Sequence, residues 1–358
     1  MDKGHQYTSI LAQNPFVPAN KSKKVLITGA GGNIGYSLSF MVAQGLLLGS
    51  QQPIDLYLLD LPFMRNSLEG LEMELTDAAF SLLNKLVITC NDEEGFKDCE
   101  IALLIGAKPR GKGMDRKDLL EANASIFKEQ AQLLDKFALE DVKVCVVGNP
   151  ANTNALIISE NTHRIKKFNI TALTRLDHNR ALAQVASKLS VHPSRVRNVT
   201  IWGNHSNTQV PDVTACQLYG QNSNWTNVGL GFSIEWLSNE FIPKVQFRGS
   251  EIIGKRQLSS AASAAVAICD HVRNWMNGTQ EGEIVSMAVW SNGNPFGIKD
   301  GLIFSFPVTC KNGEWSFAPS AALNDETIQK MIDVTTNELS EEKETALRYL
   351  TTKANPSE

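Results

Sequence analysis

Paired cysteines, long apolar runs and an excess of basic residues are all missing from this chain, and each absence removes a class of protein. The six cysteines (Cys90, Cys99, Cys145, Cys216, Cys269 and Cys310) are scattered, with no C-x-x-C pair. In a long chain that pattern excludes a disulfide framework and points to a reducing, intracellular setting. No apolar stretch approaches the roughly 18 residues that a membrane-spanning helix needs, so no membrane is expected as a partner. The first 22 residues carry Asp2, Lys3 and Lys21 but no continuous apolar segment, which argues against a secretory signal. The first arginine is Arg65, against an Arg-rich presequence, and the tail Pro356-Ser357-Glu358 is no peroxisomal or retention tripeptide. By elimination the expected compartment is the cytoplasm. A net charge of -4 argues against a nucleic-acid binder, since such domains are usually strongly basic.

What is present is length and a two-part grammar. A chain of 358 residues is long enough for a large core and suggests two domains. Residues 1–22 are polar, with Pro15 and Pro18, and read as a flexible arm. From Lys24 onward short apolar runs predict strands at Val25–Thr28, Asp55–Leu59, Ile101–Ile105 and Val144–Val147. Helical stretches separate them: Ile34–Ala43, Ser67–Leu83 and Leu119–Phe137. Near-continuous apolar strands alternating with helices imply a parallel sheet covered on both faces. The expected fold is α/β: a Rossmann-like, doubly wound domain over residues 23–173, followed by a mixed α+β catalytic domain over 174–353. In that second part the pattern predicts a helix over Asp177–Leu189, a strand over Val196–Ile201 and helices over Ile234–Lys244 and Ala261–Trp275. Strands follow at Ile284–Trp290 and Leu302–Thr309, then a hairpin turn at Asn312-Gly313 and a final helix over Glu326–Leu350.

The run K-V-L-I-T-G-A-G-G-N-I-G-Y leaves a predicted strand and opens a predicted helix. Gly29, Gly32 and Gly35 are spaced three apart, and Ile34 stands where the commonest dinucleotide fingerprint has its third glycine. Glycines permit a tight turn and close backbone approach to a pyrophosphate, and the helix N-terminus beyond supplies unpaired N–H groups. Asp60 ends the next strand, where a carboxylate can accept from a ribose hydroxyl and repel a 2′-phosphate. The pair predicts NAD as cofactor, although Arg65 nearby keeps NADP open. Alone, the glycines would mark only a strand-to-helix turn.

Three further segments carry charge or an imidazole at positions suited to chemistry. I-W-G-N-H-S-N-T-Q-V-P-D places His205 just after a strand, in a turn marked by Gly203 and Pro211. L-T-R-L-D-H-N-R places Asp177 and Arg180 three apart, on one helix face. Thr174-x-x-Asp177 can equally be a capping box, with Arg180 on the surface. Read functionally, a carboxylate beside an imidazole fixes its tautomer, and an adjacent arginine can grip a carboxylate. Together they suit a 2-hydroxy acid. Between Gly106 and Leu120 lies a basic loop with Lys108, Arg110, Lys112, Arg116 and Lys117 against Asp115 and Asp118. In a mildly acidic protein that loop suits one small anion, although such lysines can also simply keep a loop solvated.

These segments resemble, in order, the malate dehydrogenases of the lactate/malate dehydrogenase superfamily, and specifically the cytosolic type. The matching text is V-L-I-T-G-A-G-G-N-I-G, G-M-D-R-K-D-L-L-E-A-N, V-V-G-N-P-A-N-T-N, L-T-R-L-D-H-N-R, I-W-G-N-H-S-N-T-Q and S-S-A-A-S-A-A-V-A-I-C-D-H-V-R. The resemblance implies His205 as proton acceptor, Asp177 as its partner and Arg180 as the clamp on a C1 carboxylate. It implies Arg116 as the arginine that polarises the substrate carbonyl and Asn149 as a contact to substrate and cofactor. The implied cofactor contacts are Gly29, Ala30, Gly31, Gly32, Asn33, Ile34, Gly35, Asp60, Asn123, Gln130, Val147, Gly148 and Asn149. Arg110 stands where the malate enzymes carry an arginine and their lactate relatives an uncharged residue, so the loop is expected to close on a dicarboxylate. The resemblance also implies a homodimer and no metal. The runner-up is a lactate or other 2-hydroxy-acid dehydrogenase on the same fold, against which Arg110 speaks; a short-chain dehydrogenase would need a Tyr-x-x-x-Lys pair. Tyr349 and Lys353 have that spacing, but near the chain end, and read as coincidence.

Overall fold

The computed structural model describes residues 21–108, 116–220, 222–320, 322 and 325–354, with the side chains of residues 116, 117 and 352–354 outside the description. Arg110 and the side chain of Arg116 therefore lie outside the described residues, as does the predicted arm up to residue 20.

The chain divides into two compact units. The first takes in the described chain to Asn149, then Ile157–Ile170 and Ala261–Arg273. It begins β1 (Lys23–Thr28), α1 (Asn33–Ala43), β2 (Ile54–Leu59), α2 (Arg65–Asp77) and β3 (Leu83–Thr89). It continues α3 (Asp92–Phe96), β4 (Ile101–Leu104), α4 (Arg116–Phe137) and β5 (Lys143–Val146). These strands pair in parallel in the order β3-β2-β1-β4-β5. All four residues of β4 and the last three of β5 are buried, as strands covered on both faces require. The order reverses between β1 and β4, so the loops after Thr28 and Leu104 open at a topological switch point, the usual ligand crevice of such sheets.

One sequence expectation fails in this unit. The helix predicted over Ser67–Leu83 stops at Asp77, and Leu83–Thr89 is the edge strand β3. The apolar positions Leu68, Leu71 and Leu75 hold the helix to the core only that far. Ala79 then takes a left-handed φ of 49°, which ends the helix, and the β-branched run V-I-T pairs with Tyr57–Leu59.

The second unit comprises Pro150–Leu156, then the described residues from Thr171 to Ser260 and from Asn274 onward. The elements that complete the chain are α5 (Ala151–Asn161), β6 (Ile170–Ala172), α6 (Arg175–Lys188), β7 (Val196–Arg197), β8 (Thr200–Trp202) and β9 (Val210–Asp212). Next come β10 (Gln217–Tyr219), β11 (Trp225–Asn227), α7 (Ile234–Trp236), α8 (Ile242–Gln246), α9 (Arg248–Arg256) and α10 (Ala262–Asn277). The last are β12 (Val285–Trp290), β13 (Ile303–Lys311), β14 (Glu314–Phe317) and α11 (Glu326–Ala354). β12, β13 and β14 form an antiparallel meander. Asn312 and Gly313 turn it with φ of 55° and 78°, the double left-handed conformation a two-residue hairpin demands. Trp202, Trp275, Phe304 and Phe306 anchor one core, and α6 packs Ala181 and Val185 onto Ile201 and Val245 in another.

Two predicted elements are broken. The strand over Val196–Ile201 splits because Asn198 adopts φ 63°, its amide donating to Gly282 O and accepting from Ile284 N. The helix over Ile234–Lys244 contains a π-helical stretch, Leu237–Phe241, just before Pro243. Proline has no N–H to donate and crowds the preceding turn, which fits the irregular winding there.

Candidate active site

In the first unit the glycine loop is shaped by close backbone contact. Gly29 has φ 66°, and a Cβ there would stand 2.7 Å from Gly106 Cα. A Cβ on Gly35 would come within 2.5 Å of Ala30 O and 2.6 Å of Gly29 O. The third glycine thus does the job of the usual fingerprint one position later: it lets the helix start pack on its own loop. Gly32 is the N-cap of α1 and places no side chain over the first N–H groups. Asp60 leans onto this loop, with Oδ2 accepting from Gly31 N at 2.9 Å and Oδ1 from Leu61 N at 2.8 Å. A carboxylate has roughly four acceptor sites, so a ribose hydroxyl can still be met. These residues fit a dinucleotide: a cradle that Cβ atoms would fill, a helix N-terminus and a carboxylate beside them.

Asn123 is placed differently from a free contact. It is buried, its Oδ1 accepts from Lys108 N at 2.8 Å, and its Nδ2 donates to Lys108 O, Leu119 O and Asn149 O at 3.1–3.2 Å. It ties together the stem of the basic loop, the first turns of α4 and the end of β5. Asn149 is exposed, whereas Val147 and Gly148 are buried under it. A Cβ on Gly148 would sit 2.7 Å from Ala107 Cβ, so close packing requires glycine there. Gln130 has a buried Oε1 without a hydrogen-bond partner among the described residues, which suits a position awaiting a ligand donor.

In the second unit, His205, Asp177 and Arg180 converge. Asp177 is fully buried in the first turn of α6. Its Oδ2 takes His205 Nδ1, and its Oδ1 accepts from Arg180 Nη1 at 2.9 Å. The capping-box alternative fails: Thr174 is the N-cap but makes no side-chain cap, its hydroxyl pairing instead with Ser305 Oγ at 2.8 Å. Nor is Arg180 a surface residue, since its side chain is 12% exposed and Nη2 donates to Ser260 Oγ at 3.2 Å. Burial alone would push the Asp177 carboxyl up. The charge and hydrogen bond of His205, with Arg180 beside them, overcome that and hold it below its ordinary range. Because a carboxylate only accepts, His205 carries its proton on Nδ1, and Nε2 is the nitrogen left for proton exchange. The arginine fork has five donors, so these two contacts leave it able to meet an incoming carboxylate.

Sequence reasoning missed Asn152. Its Oδ1 accepts the His205 backbone N–H at 3.0 Å, and its Nδ2 donates to Gly203 O and Ile303 O at 3.2 and 3.0 Å. Nothing in the spacing marks it, because the partners lie 51–151 residues apart. Among the described residues no cluster of side chains could hold a metal, and no helix is long and apolar enough to cross a membrane.

The chain is similar to known proteins over most of its length. Residues 23–171 match the NAD-binding domain model of lactate/malate dehydrogenases, and residues 174–349 match the α/β C-terminal domain model of the same family. The chain is 51% identical to the cytoplasmic malate dehydrogenase of Gallus gallus, over 91% of this chain and 98% of that one. It is 48% identical to cytoplasmic malate dehydrogenase 1 of Arabidopsis thaliana, covering 93% and 99%. Among solved structures, malate dehydrogenase from Naegleria fowleri superimposes with a TM-score of 0.86 at 42% identity, covering 92% of this chain and 99% of that one. The lactate dehydrogenase of Trichomonas vaginalis, in complex with NADH and oxamate, superimposes with a TM-score of 0.87 at 37% identity, covering 92% and 100%. On this evidence the chain belongs to the lactate/malate dehydrogenase family.

Proposed function

We propose that this chain catalyses reversible hydride transfer between (S)-malate and NAD, giving oxaloacetate and NADH, with His205 as the proton acceptor. The observation that carries the residue roles is the sharing of one buried carboxylate, Asp177, by an imidazole and an arginine. That trio offers a base for the 2-hydroxyl and a cation for the C1 carboxylate. Bound NAD supplies the hydride acceptor. His205 Nε2 takes the hydroxyl proton, and Asp177 stabilises the resulting imidazolium. At ~4 Å and an effective dielectric of ~20 such a pair attracts by about 4 kcal/mol before desolvation. Arg180 orients the C1 carboxylate through paired, charge-assisted hydrogen bonds. Arg116 polarises the carbonyl oxygen when oxaloacetate is reduced, and Arg110 pairs with the C4 carboxylate. The glycine loop and Asp60 hold the dinucleotide, with Asn149 and Gln130 contributing contacts.

Fold likeness does not choose the substrate, since the malate and lactate enzymes superimpose equally well. The closer sequence identity to malate dehydrogenases supports malate, and so does Arg110. The compartment is the cytoplasm, the location carried in the names of the chicken and Arabidopsis relatives. We infer a homodimer as well, which the family resemblance implies; Leu61, Phe63 and Met73, on and before α2, are 59–79% exposed and offer apolar side chains to a second copy. Light scattering on a sizing column tests this; a monomeric mass rejects it. The activity is tested by following NADH oxidation with oxaloacetate and with pyruvate side by side. Fast oxaloacetate turnover with little on pyruvate supports the reading; a pyruvate preference overturns the account of Arg110.

A further inference from the structure

The loop that carries His205 is held from behind by the C-terminal helix. Asn204, Ser206 and Thr208 flank the histidine, and all three side chains donate to one atom, Glu338 Oε2 of α11, at 2.8, 2.5 and 2.7 Å. One turn before Glu338, Thr335 Oγ1 accepts the Asn204 backbone N–H at 2.9 Å, and its hydroxyl pairs with that of Thr208 at 2.9 Å. One turn after it, buried Glu342 accepts from Asn204 Nδ2 at 3.3 Å and from the Thr153 hydroxyl. Residues 335, 338 and 342 lie at helical spacing on one face, so a single stripe of α11 reaches the whole loop. The approach is close: a Cβ on Gly203 would stand 2.2 Å from Thr335 Cγ2.

A solvated loop would not place three hydroxyl and amide donors around one carboxylate oxygen. We propose that Glu338, backed by Thr335 and Glu342, is a positioning residue for the reaction: it sets the backbone path of residues 203–208 and so the place of His205. Glu338 works through the loop and is given no contact with substrate. The proposal rests on the reading of His205 as the base. Its physical basis is that a displacement of about 1 Å in a reacting group can cost on the order of 10²-fold in rate.

The test uses the full-length protein and compares Glu338→Ala, Glu338→Gln and the double variant Ser206→Ala/Thr208→Val. Glu338→Ala is expected to lower kcat for oxaloacetate reduction by about tenfold or more, with NADH binding by fluorescence titration unchanged. Glu338→Gln keeps a carbonyl acceptor and is expected to recover most of the loss. The double variant removes two donors while sparing the helix and is expected to lower kcat several-fold; it decides the matter if Glu338→Ala does not fold. Unchanged kcat in the double variant, or equal losses in Glu338→Ala and Glu338→Gln, overturns the positioning role. His205→Asn runs alongside. Turnover surviving there overturns the base assignment itself, a failure separable from that of the clasp.

Discussion

Asp177 and His205 lie 28 residues apart in sequence, yet one oxygen of the buried carboxylate meets the imidazole Nδ1 while the other takes Arg180 Nη1 at 2.9 Å. A single side chain therefore sets the tautomer of the imidazole and the orientation of the guanidinium, and its replacement should disturb both.

Asp177→Asn keeps the shape but can donate to Nδ1, which favours the wrong tautomer. The expected result is a fall in kcat of about 10²–10⁴-fold, by analogy with buried aspartates behind catalytic histidines. KM for oxaloacetate should also rise, because Arg180 trades a carboxylate for a neutral amide oxygen, while NADH affinity stays the same. Steady-state kinetics with an NADH fluorescence titration checks this. A variant within fivefold of the parent kcat would remove Asp177 from the mechanism.

Arg110→Gln should erode the choice between substrates. The parent is expected to prefer oxaloacetate over pyruvate by at least about 10³ in kcat/KM, since a site built for a charged group rejects an analogue that leaves it unpaired. The variant should lose most of that ratio through the oxaloacetate term. An unchanged ratio would place dicarboxylate recognition elsewhere.

Asp60→Ser should relax cofactor choice. Asp60 holds Gly31 N–H beside the glycine loop, so a 2′-phosphate there would face a fixed negative charge. We expect the NADH-to-NADPH ratio of kcat/KM to fall by about tenfold or more, tenfold corresponding to about 1.4 kcal/mol. NADPH kinetics unaltered by the substitution would mean the preference is set by another residue.

Acid should loosen the second unit in two windows. His178 is buried on α6, and burial, then Arg175 beside it, holds its pKa well below 6.5. The unfolded chain takes a proton that the folded protein refuses, so this stability is full above pH 6.5 and drains as pH falls below it. The loss is at most about 1.4 kcal/mol per pH unit for one group. Asp177 is held below its ordinary 3.8, so its contribution is present above that value and drains as pH falls further. Melting temperatures from pH 7.5 down to 4.5 should decline through the first window, and His178→Gln should flatten that decline. An identical slope in the variant would remove His178 as the cause.

Legibility in the sequence followed the range of the interactions. The glycine loop, Asp60 and the alternating apolar strands were readable because each is a local pattern that backbone geometry imposes within a few residues. The hairpin at Asn312-Gly313 was readable for the same reason. The end of α2 was not: Leu83–Thr89 is apolar enough for either state, and only pairing with β2 selects strand. Asp177 had two local readings, cap or catalytic partner, and spacing alone could not separate them.

By itself the sequence determined the family, the α/β fold class and which residue types stand in each motif. These follow from ordered motifs, period and charge. Only the tertiary structure decided that Asp177 turns inward to His205 instead of capping its helix, that Asn152 holds the His205 backbone, that Asn123 is bound up in three carbonyls, and that Glu338 gathers the loop. The physical reason is the same in each case. A hydrogen bond across tens or hundreds of residues leaves no periodicity in the chain, and its partners are chosen by packing, when burial forces every polar group to find one.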